Sequence, residues 1–443
     1  MARNLILLII DTLRADFQKL CAEQGVTISN LETLARHASL HPKARCGSFP
    51  TGPMRTDLLT GNLAFLRGEW ALPLPGEDTF LSRCRGAGFQ TCLVTDNYVA
   101  VIPRVGGVLI DRFDYVDFIR GAAADPWTAP DEELLRNCAE QEWRYPTRSM
   151  FFEAQYRANT ARLRRTGRSH VEQLFRSATE QLEALRYHDR FVLWVDSFAC
   201  HEPWVSPEDL LEFLDLPLFP GYVSRDYYSA EHLSRLRTQY VLRIGETSVA
   251  MRDFVSAVGE ALRTGDTALV VLSDHGFLFG EFGFVGKPAE TPLPPQLHEI
   301  VCWLSNHFEG HLPNGELGLQ PHMIHDAIGS LLGFARPNLR PPEVHVFGRN
   351  SPRSDFLAVA DLKSLTVLRE VNDLHKSATS LPWVSLEPSI SLVEHVGEPP
   401  PLEVVRATRQ VVREGMSAWT DRFCEVLSQA DFRGRCLTSP GNP

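Results

Sequence analysis

An apolar run near the start of the chain, Leu5-Ile6-Leu7-Leu8-Ile9-Ile10, ends in a carboxylate, Asp11. The pattern returns far downstream, where Leu269-Val270-Val271-Leu272 runs into Ser273-Asp274-His275-Gly276. Carboxylate oxygens and an imidazole nitrogen together suit a divalent transition metal such as zinc or manganese. Asp11 alone reads equally well as a helix N-cap, because Thr12-Leu13-Arg14-Ala15 has helical character and Asp is a favoured cap. Asp274-His275 alone reads as the polar tip of a strand-to-loop turn. Two strands that both end in metal-type ligands make that plainer reading less attractive. Gly276 lets the backbone turn sharply and a substrate approach closely. A third element is Ser48-Phe49-Pro50-Thr51-Gly52-Pro53-Met54-Arg55, continuing to Gly61. Pro53 suits the first turn of a helix and Gly61 its end. Thr51 then lies just before a helix N-terminus, where the dipole and free amides favour negative charge. A hydroxyl placed there, beside a metal, ionises more easily and can act as a nucleophile. Arg55 lies one turn on and can face the same site. On residue type alone, the two also read as an N-cap and a surface arginine.

Short apolar runs alternate with helical patterns and must position these residues. Candidate strands are Leu5–Ile10, Thr91–Val94, Phe191–Val195, Leu269–Leu272 and Ile300–Leu304, each apolar on both faces, as in the centre of a parallel sheet covered by helices. Ser169–Arg186 carries Val171, Leu174, Phe175, Ala178, Leu182 and Leu185 at helical spacing, and Glu231–Arg263 holds one long helix or two. The fold class predicted is α/β, a mostly parallel sheet sandwiched by helices, with ligands bound beyond the carboxyl ends of the strands. Proline-rich segments at Pro126–Pro130, Pro203–Pro220 and Pro288–Pro295 read as inserted loops. Arg336–Pro342 reads as a boundary between a catalytic domain, residues 1–342, and a small α+β subdomain, 343–443. That subdomain has β-like runs at Val344–Phe347, Phe356–Val359 and Leu365–Leu368 and an amphipathic helix around Leu402–Leu427.

With 443 residues, 44% hydrophobic and 22% charged, the chain has ordinary globular composition. A net charge of −11 argues against non-specific nucleic-acid binding, although a local cluster of cations can still bind an anion. Nine cysteines, scattered and without a CxxC pair, fit a reducing, cytoplasmic setting better than a disulfide framework or a structural zinc site. No run approaches the ~20 apolar residues of a membrane helix, and the six-residue run before Asp11 reads as a buried strand, not a leader.

Several of these segments occur in a familiar order. Asn4 through Asp16 resembles the opening of enzymes in the sulfatase family of the alkaline phosphatase superfamily. Ser273-Asp274-His275-Gly276 through Gly286-Lys287-Pro288 resembles their second metal motif and following lysine. Val195-Asp196-Ser197-Phe198 with His201-Glu202-Pro203-Trp204 resembles their histidine loop. The order and spacing match over roughly the first 335 residues, and several long motifs in the right order are specific where one alone is weak. The resemblance implies an alkaline-phosphatase-like fold and a metal held by Asp11, Thr12, Asp274 and His275. It puts Thr51 in the nucleophile position, within a pattern kept by Pro53 and Arg55. Sulfatases carry there a cysteine or serine converted to formylglycine, which threonine cannot become, and Cys46 lies five residues too early to replace it. Threonine is the nucleophile in related nucleotide pyrophosphatase/phosphodiesterase enzymes. Asp274-His275 likewise resembles phosphodiesterase and phosphonate monoester hydrolase relatives. Thr12 stands where many sulfatases have a second aspartate, which weakens the case for calcium, and for magnesium with it.

By the same resemblance His201 acts as general acid or binds a substrate oxygen, and Lys287 and Arg55 bind nonbridging oxygens. Asn97 and Tyr98 can bond an oxyanion or simply form a strand-end turn. A second metal is an alternative, held by Asp196, His201 and His322, with His325 and His298 behind it. The expected function is metal-dependent hydrolysis of phosphate mono- or diesters or phosphonate esters, with zinc or manganese as one or two ions. Alternatives are sulfuric ester hydrolysis, transfer of the phosphoryl group to another alcohol, and a degenerate binding protein. The expected partner is a small anionic ester, without nucleic acid or membrane, in a chain that can form a homo-oligomer.

Overall fold

The computed structural model describes residues 2–396 apart from 68–72, 74–75, 102–106, 131, 133–149, 205–222, 288–293, 314–317, 336–344, 350–355, 361–364 and 373–388. A seven-stranded sheet forms the centre, in the order β2-β10-β7-β1-β5-β3-β4. Its core is parallel: β7 (Thr267–Leu272), β1 (Asn4–Ile10), β5 (Phe191–Ser197), β3 (Gln90–Thr95) and β4 (Tyr115–Phe118). β10 (Cys302–Leu304) runs antiparallel to β7, and β2 (Ser39–Leu40) antiparallel to β10.

The sheet is apolar on both faces because both are covered. Ile6, Leu8 and Ile10 of β1 face one core with Leu193 and Val195 of β5, Val171, Leu174 and Phe175 of the helix His170–Leu185, and Phe254 of the helix Arg252–Arg263. Leu5, Leu7 and Ile9 face the opposite core with Trp194 and Leu58. Two-sided burial is what made the strands readable as continuous apolar runs. Ser169 caps its helix reciprocally with Glu172. The segment from 231 to 263 is two helices, Ala230–Ala250 and Arg252–Arg263, meeting at Met251.

A three-stranded sheet of β6 (Val223–Ser224), β9 (Phe284–Gly286) and β8 (Leu278–Phe279) follows the end of β7 and delivers Lys287 directly after β9. A separate antiparallel meander runs β11 (His345–Arg349), β12 (Phe356–Ala360), β13 (Leu365–Asn372) and β14 (Ser389–Val396). The predicted boundary at 336–342 and the helix near 402–427 lie outside the described residues. Among the described residues no helix is long and apolar enough to cross a membrane.

Candidate active site and metal centre

Three neighbouring strands end in carboxylates on one edge of the sheet. β7 leads to Asp274, β1 to Asp11, and β5 carries Asp196 opposite Ile9 of β1. All three are buried. This is the strand-end position where open α/β sheets bind ligands. Asp11 does not cap a helix: the next helix starts at Phe17, after Asp16.

Asp11, Asp274 and His275 offer ligand atoms within 4.8 Å of one another, and they are the one such group among the described residues. His275 Nδ1 lies 3.0 Å from the Gly276 carbonyl, which can only accept. The proton therefore sits on Nδ1 and the Nε2 lone pair faces the carboxylates, as a metal ligand requires. Burial lowers the His275 pKa to about 4, so the imidazole is neutral. Burial, then the charge of Asp274, pushes Asp11 well above the usual carboxylate range. Burial also acts upward on Asp274, but the Arg55 charge and the hydrogen bond from the Thr12 amide outweigh it and hold that group low. Two buried carboxylates beside a neutral imidazole form a donor set that a divalent cation would stabilise.

Thr12 adopts φ 63°, a left-handed conformation that is costly for a β-branched residue. The fold holds it there from three sides. Its amide donates to Asp274 Oδ1 at 2.9 Å, its hydroxyl donates to Asp11 Oδ1 at 2.7 Å, and its carbonyl accepts from the Tyr240 hydroxyl at 2.9 Å. Thr12 thus ties the two carboxylates together and orients Asp11. Gly276 has a steric reason rather than the expected conformational one: a Cβ there would lie 1.9 Å from the Gln296 carbonyl oxygen.

Thr51 is the first residue of the helix Thr51–Thr60, and the N-cap is Pro50. Its side chain therefore does not cap the helix; Oγ1 lies 3.4 Å from His275 Nε2. Gly61 ends that helix at φ 72°, as its glycine suggested.

Arg55 is buried rather than at the surface, and its donors meet the carboxylate cluster. Nε and Nη2 grip Asp196 at 2.8 and 2.7 Å, Nη1 reaches Asp274 at 2.6 Å and the Thr51 carbonyl at 3.0 Å, and Nη2 reaches Asp11 at 3.2 Å. A guanidinium has five N–H donors, and these contacts occupy them. Arg55 is the internal counter-ion of the carboxylate cluster.

The residues of the two-metal alternative have these partners. Asp196 is spent on Arg55, and His201 meets Lys287 and Glu202 instead. His322, on the helix Pro321–Leu331, keeps an unpartnered buried Nδ1, and His325 Nδ1 pairs with the Leu58 carbonyl at 3.0 Å. His298 is buried and joins no metal-type group. Asn97 and Tyr98 lie at the turn after β3, with Asn97 Nδ2 3.5 Å from Asp196 Oδ2. Asn97 Oδ1 accepts from the amides of Val99 and Ala100 and so caps the helix Tyr98–Val101, while the half-buried Tyr98 packs edge-on against Phe198.

Lys287 Nζ lies 3.3 Å from His201 Nε2, 3.4 Å from Thr12 Oγ1 and 3.1 Å from Glu202 Oε2. The His201 Nδ1 proton goes to the Glu202 carbonyl at 2.7 Å, which leaves Nε2 as an acceptor. Lys287 therefore donates to His201 Nε2 within this group.

Sequence reading gave no role to Glu202, Asp96 or Tyr240. Asp96 accepts from the Phe198 amide at 2.6 Å and meets His170 Nδ1 at 2.8 Å, pinning the histidine loop. Tyr240 holds Thr12 from a helix more than 200 residues away. No local spacing marks such a partner.

The sulfatase family model matches residues 3–317 of this chain. The chain belongs to the sulfatase family, within the alkaline phosphatase superfamily. No curated protein gives a sequence match. Among solved structures it is similar to the phosphonate monoester hydrolase of Agrobacterium radiobacter, with 16% identity, TM-score 0.53, and coverage of 82% of this chain and 87% of that one. It is also similar to a 2-O GAG sulfatase (12% identity, TM-score 0.52, 83% of each chain). A third is the zinc complex of the C-terminal periplasmic domain of EptC from Escherichia coli (13% identity, TM-score 0.51, 81% and 92%). At these identities the likeness concerns the fold, and the family makes the chain an ester hydrolase.

Proposed function

We propose that this chain hydrolyses phosphorus esters, either phosphate mono- and diesters or phosphonate esters, with Thr51 as the nucleophile. The observation that carries the reading is the Thr51 hydroxyl at a helix N-terminus, 3.4 Å from His275 and its metal-type group. A threonine keeps its hydroxyl and cannot supply the formylglycine that sulfate-ester hydrolysis in this family uses. Asp11, Asp274 and His275 would hold one divalent ion, zinc or manganese, which when bound would polarise the ester and make the Thr51 hydroxyl easier to ionise.

The chain's own residues supply the rest. Thr51 loses its proton to solvent and attacks phosphorus in line. The Gly52 amide at the helix N-terminus favours the charge that grows on the nonbridging oxygens; Pro53 has no N–H and the Met54 amide already donates to the Pro50 carbonyl. The leaving oxygen takes its proton from Lys287, beside His201. Water then releases the phosphorylated Thr51. Arg55 holds the three carboxylates in place throughout.

One structural neighbour bears the name phosphonate monoester hydrolase, which makes such esters the first to assay. A panel of nitrophenyl sulfate, phosphate monoester, phosphodiester and phosphonate tests the reading. The phosphorus esters are expected to react faster, and a preference for the sulfate would contradict the proposal. Product analysis with an added alcohol separates hydrolysis from transfer.

A further inference from the structure

Glu202 is a buried carboxylate, 1% exposed, that the chemistry above does not use. Oε2 accepts from Lys287 Nζ at 3.1 Å and lies 3.5 Å from His201 Nδ1. Its backbone carbonyl takes the His201 Nδ1 proton at 2.7 Å. One residue thus grips both members of the Lys287–His201 pair through different atoms. An ionised carboxylate is costly to bury unless it is paired. Here its partner is Lys287, the cation beside His201.

We propose that Glu202 is a positioning residue that sets Lys287 for proton delivery to the leaving oxygen; this rests on the reaction proposed above. Lysine is a point charge on a flexible stem with considerable rotamer freedom. The Glu202 carboxylate gives that stem an anchor. With one N–H directed at Glu202, the others point to His201 Nε2 at 3.3 Å and Thr12 Oγ1 at 3.4 Å, toward the metal-type group. His201 is itself fixed, because its ring stacks on Phe198 at 4.5 Å and 10°. As the bond from phosphorus to the leaving oxygen breaks, its electron pair stays on that oxygen. The oxygen takes a proton from Lys287 Nζ, and Lys287 regains one from water.

The test uses Glu202→Gln, which keeps shape and removes charge, on two esters that share a phosphoryl group. A nitrophenoxide leaves without a proton, whereas an alkoxide requires one. For the alkyl ester kcat is expected to fall about tenfold or more. For the nitrophenyl ester kcat should change by less than about threefold, with both KM values near wild type. Glu202→Asp should recover part of the alkyl-ester loss. Equal losses on the two esters, or none on either, overturn the proposal. A crystal structure of the full-length Glu202→Gln variant gives a second reading. Lys287 Nζ is expected to withdraw from His201 and Thr12, and a lysine still in place overturns the proposal whatever the activity. A wild-type chain inactive on both esters contradicts the proposed function instead, and the Lys287 position then still decides the role of Glu202.

Discussion

Removing Arg55 would leave Asp11, Asp196 and Asp274 buried without their shared cation. Breaking a buried pair by deleting one partner costs about 3–5 kcal/mol. Arg55→Met is therefore expected to lower the unfolding free energy by about that much, measured by denaturant titration on the metal-free protein. Arg55→Lys should recover little, since an ammonium cannot reproduce the forked grip. Thr51 makes the opposite prediction. Thr51→Ser keeps the hydroxyl and should stay active, whereas Thr51→Ala should lose turnover with metal content intact. His322 supplies a pH effect away from the site. Burial lowers its pKa from 6.5 to about 4. Between those values the unfolded chain takes up a proton that the fold refuses, so stability falls as the pH drops and stops falling below about 4. His322→Gln should flatten that slope, which pH-dependent unfolding curves would record; an unchanged slope contradicts the assignment. The strand-end placement of Asp11 and Asp274 and the helix-start placement of Thr51 were legible because each follows a clear local signal. The partners of Arg55 were not, since Asp11, Asp196 and Asp274 lie 44, 141 and 219 residues away.

At the scale of the elements, β5 joins the two layers. Trp194 lies between Phe80, stacked at 6.1 Å, and Phe113, edge-on at 5.9 Å, and its indole N–H has no partner. Trp194→Ala is expected to cost about 3–5 kcal/mol. Trp194→Phe should cost much less, because it keeps most of the apolar contact and removes an unsatisfied donor. Similar losses in the two variants, measured by chemical unfolding, would contradict this account of the layer. The five strands of the central sheet read from sequence are those whose runs stay apolar on both faces. β2, two exposed residues, and β4, mixed in polarity, were missed because short or half-exposed strands give no continuous run. The break at Met251 was invisible because Met251 is a good helix former that is fully buried.

Across the whole molecule, the sheet brings distant strand ends to one edge, and a metal would bind the folded state alone. Added zinc or manganese should raise the thermal midpoint, and a chelator should reverse it, since a ligand at 100 times its Kd stabilises by about 2.7 kcal/mol. Elemental analysis is expected to find one ion per chain, because Asp196 is held by Arg55. Six described cysteines are free and buried, with Cys200 pushed up to about 12 by burial. Thiols buried in apolar surroundings and held protonated are poor nucleophiles. The central claim is a covalent intermediate on Thr51. Acid-quenching the enzyme during turnover of a phosphonate or phosphodiester, then mapping peptides by mass spectrometry, tests it directly. The account predicts a phosphoryl-type mass gain on Thr51 that is absent from Thr51→Ala. Undiminished turnover by Thr51→Ala, with no adduct on the wild-type peptide, would contradict it.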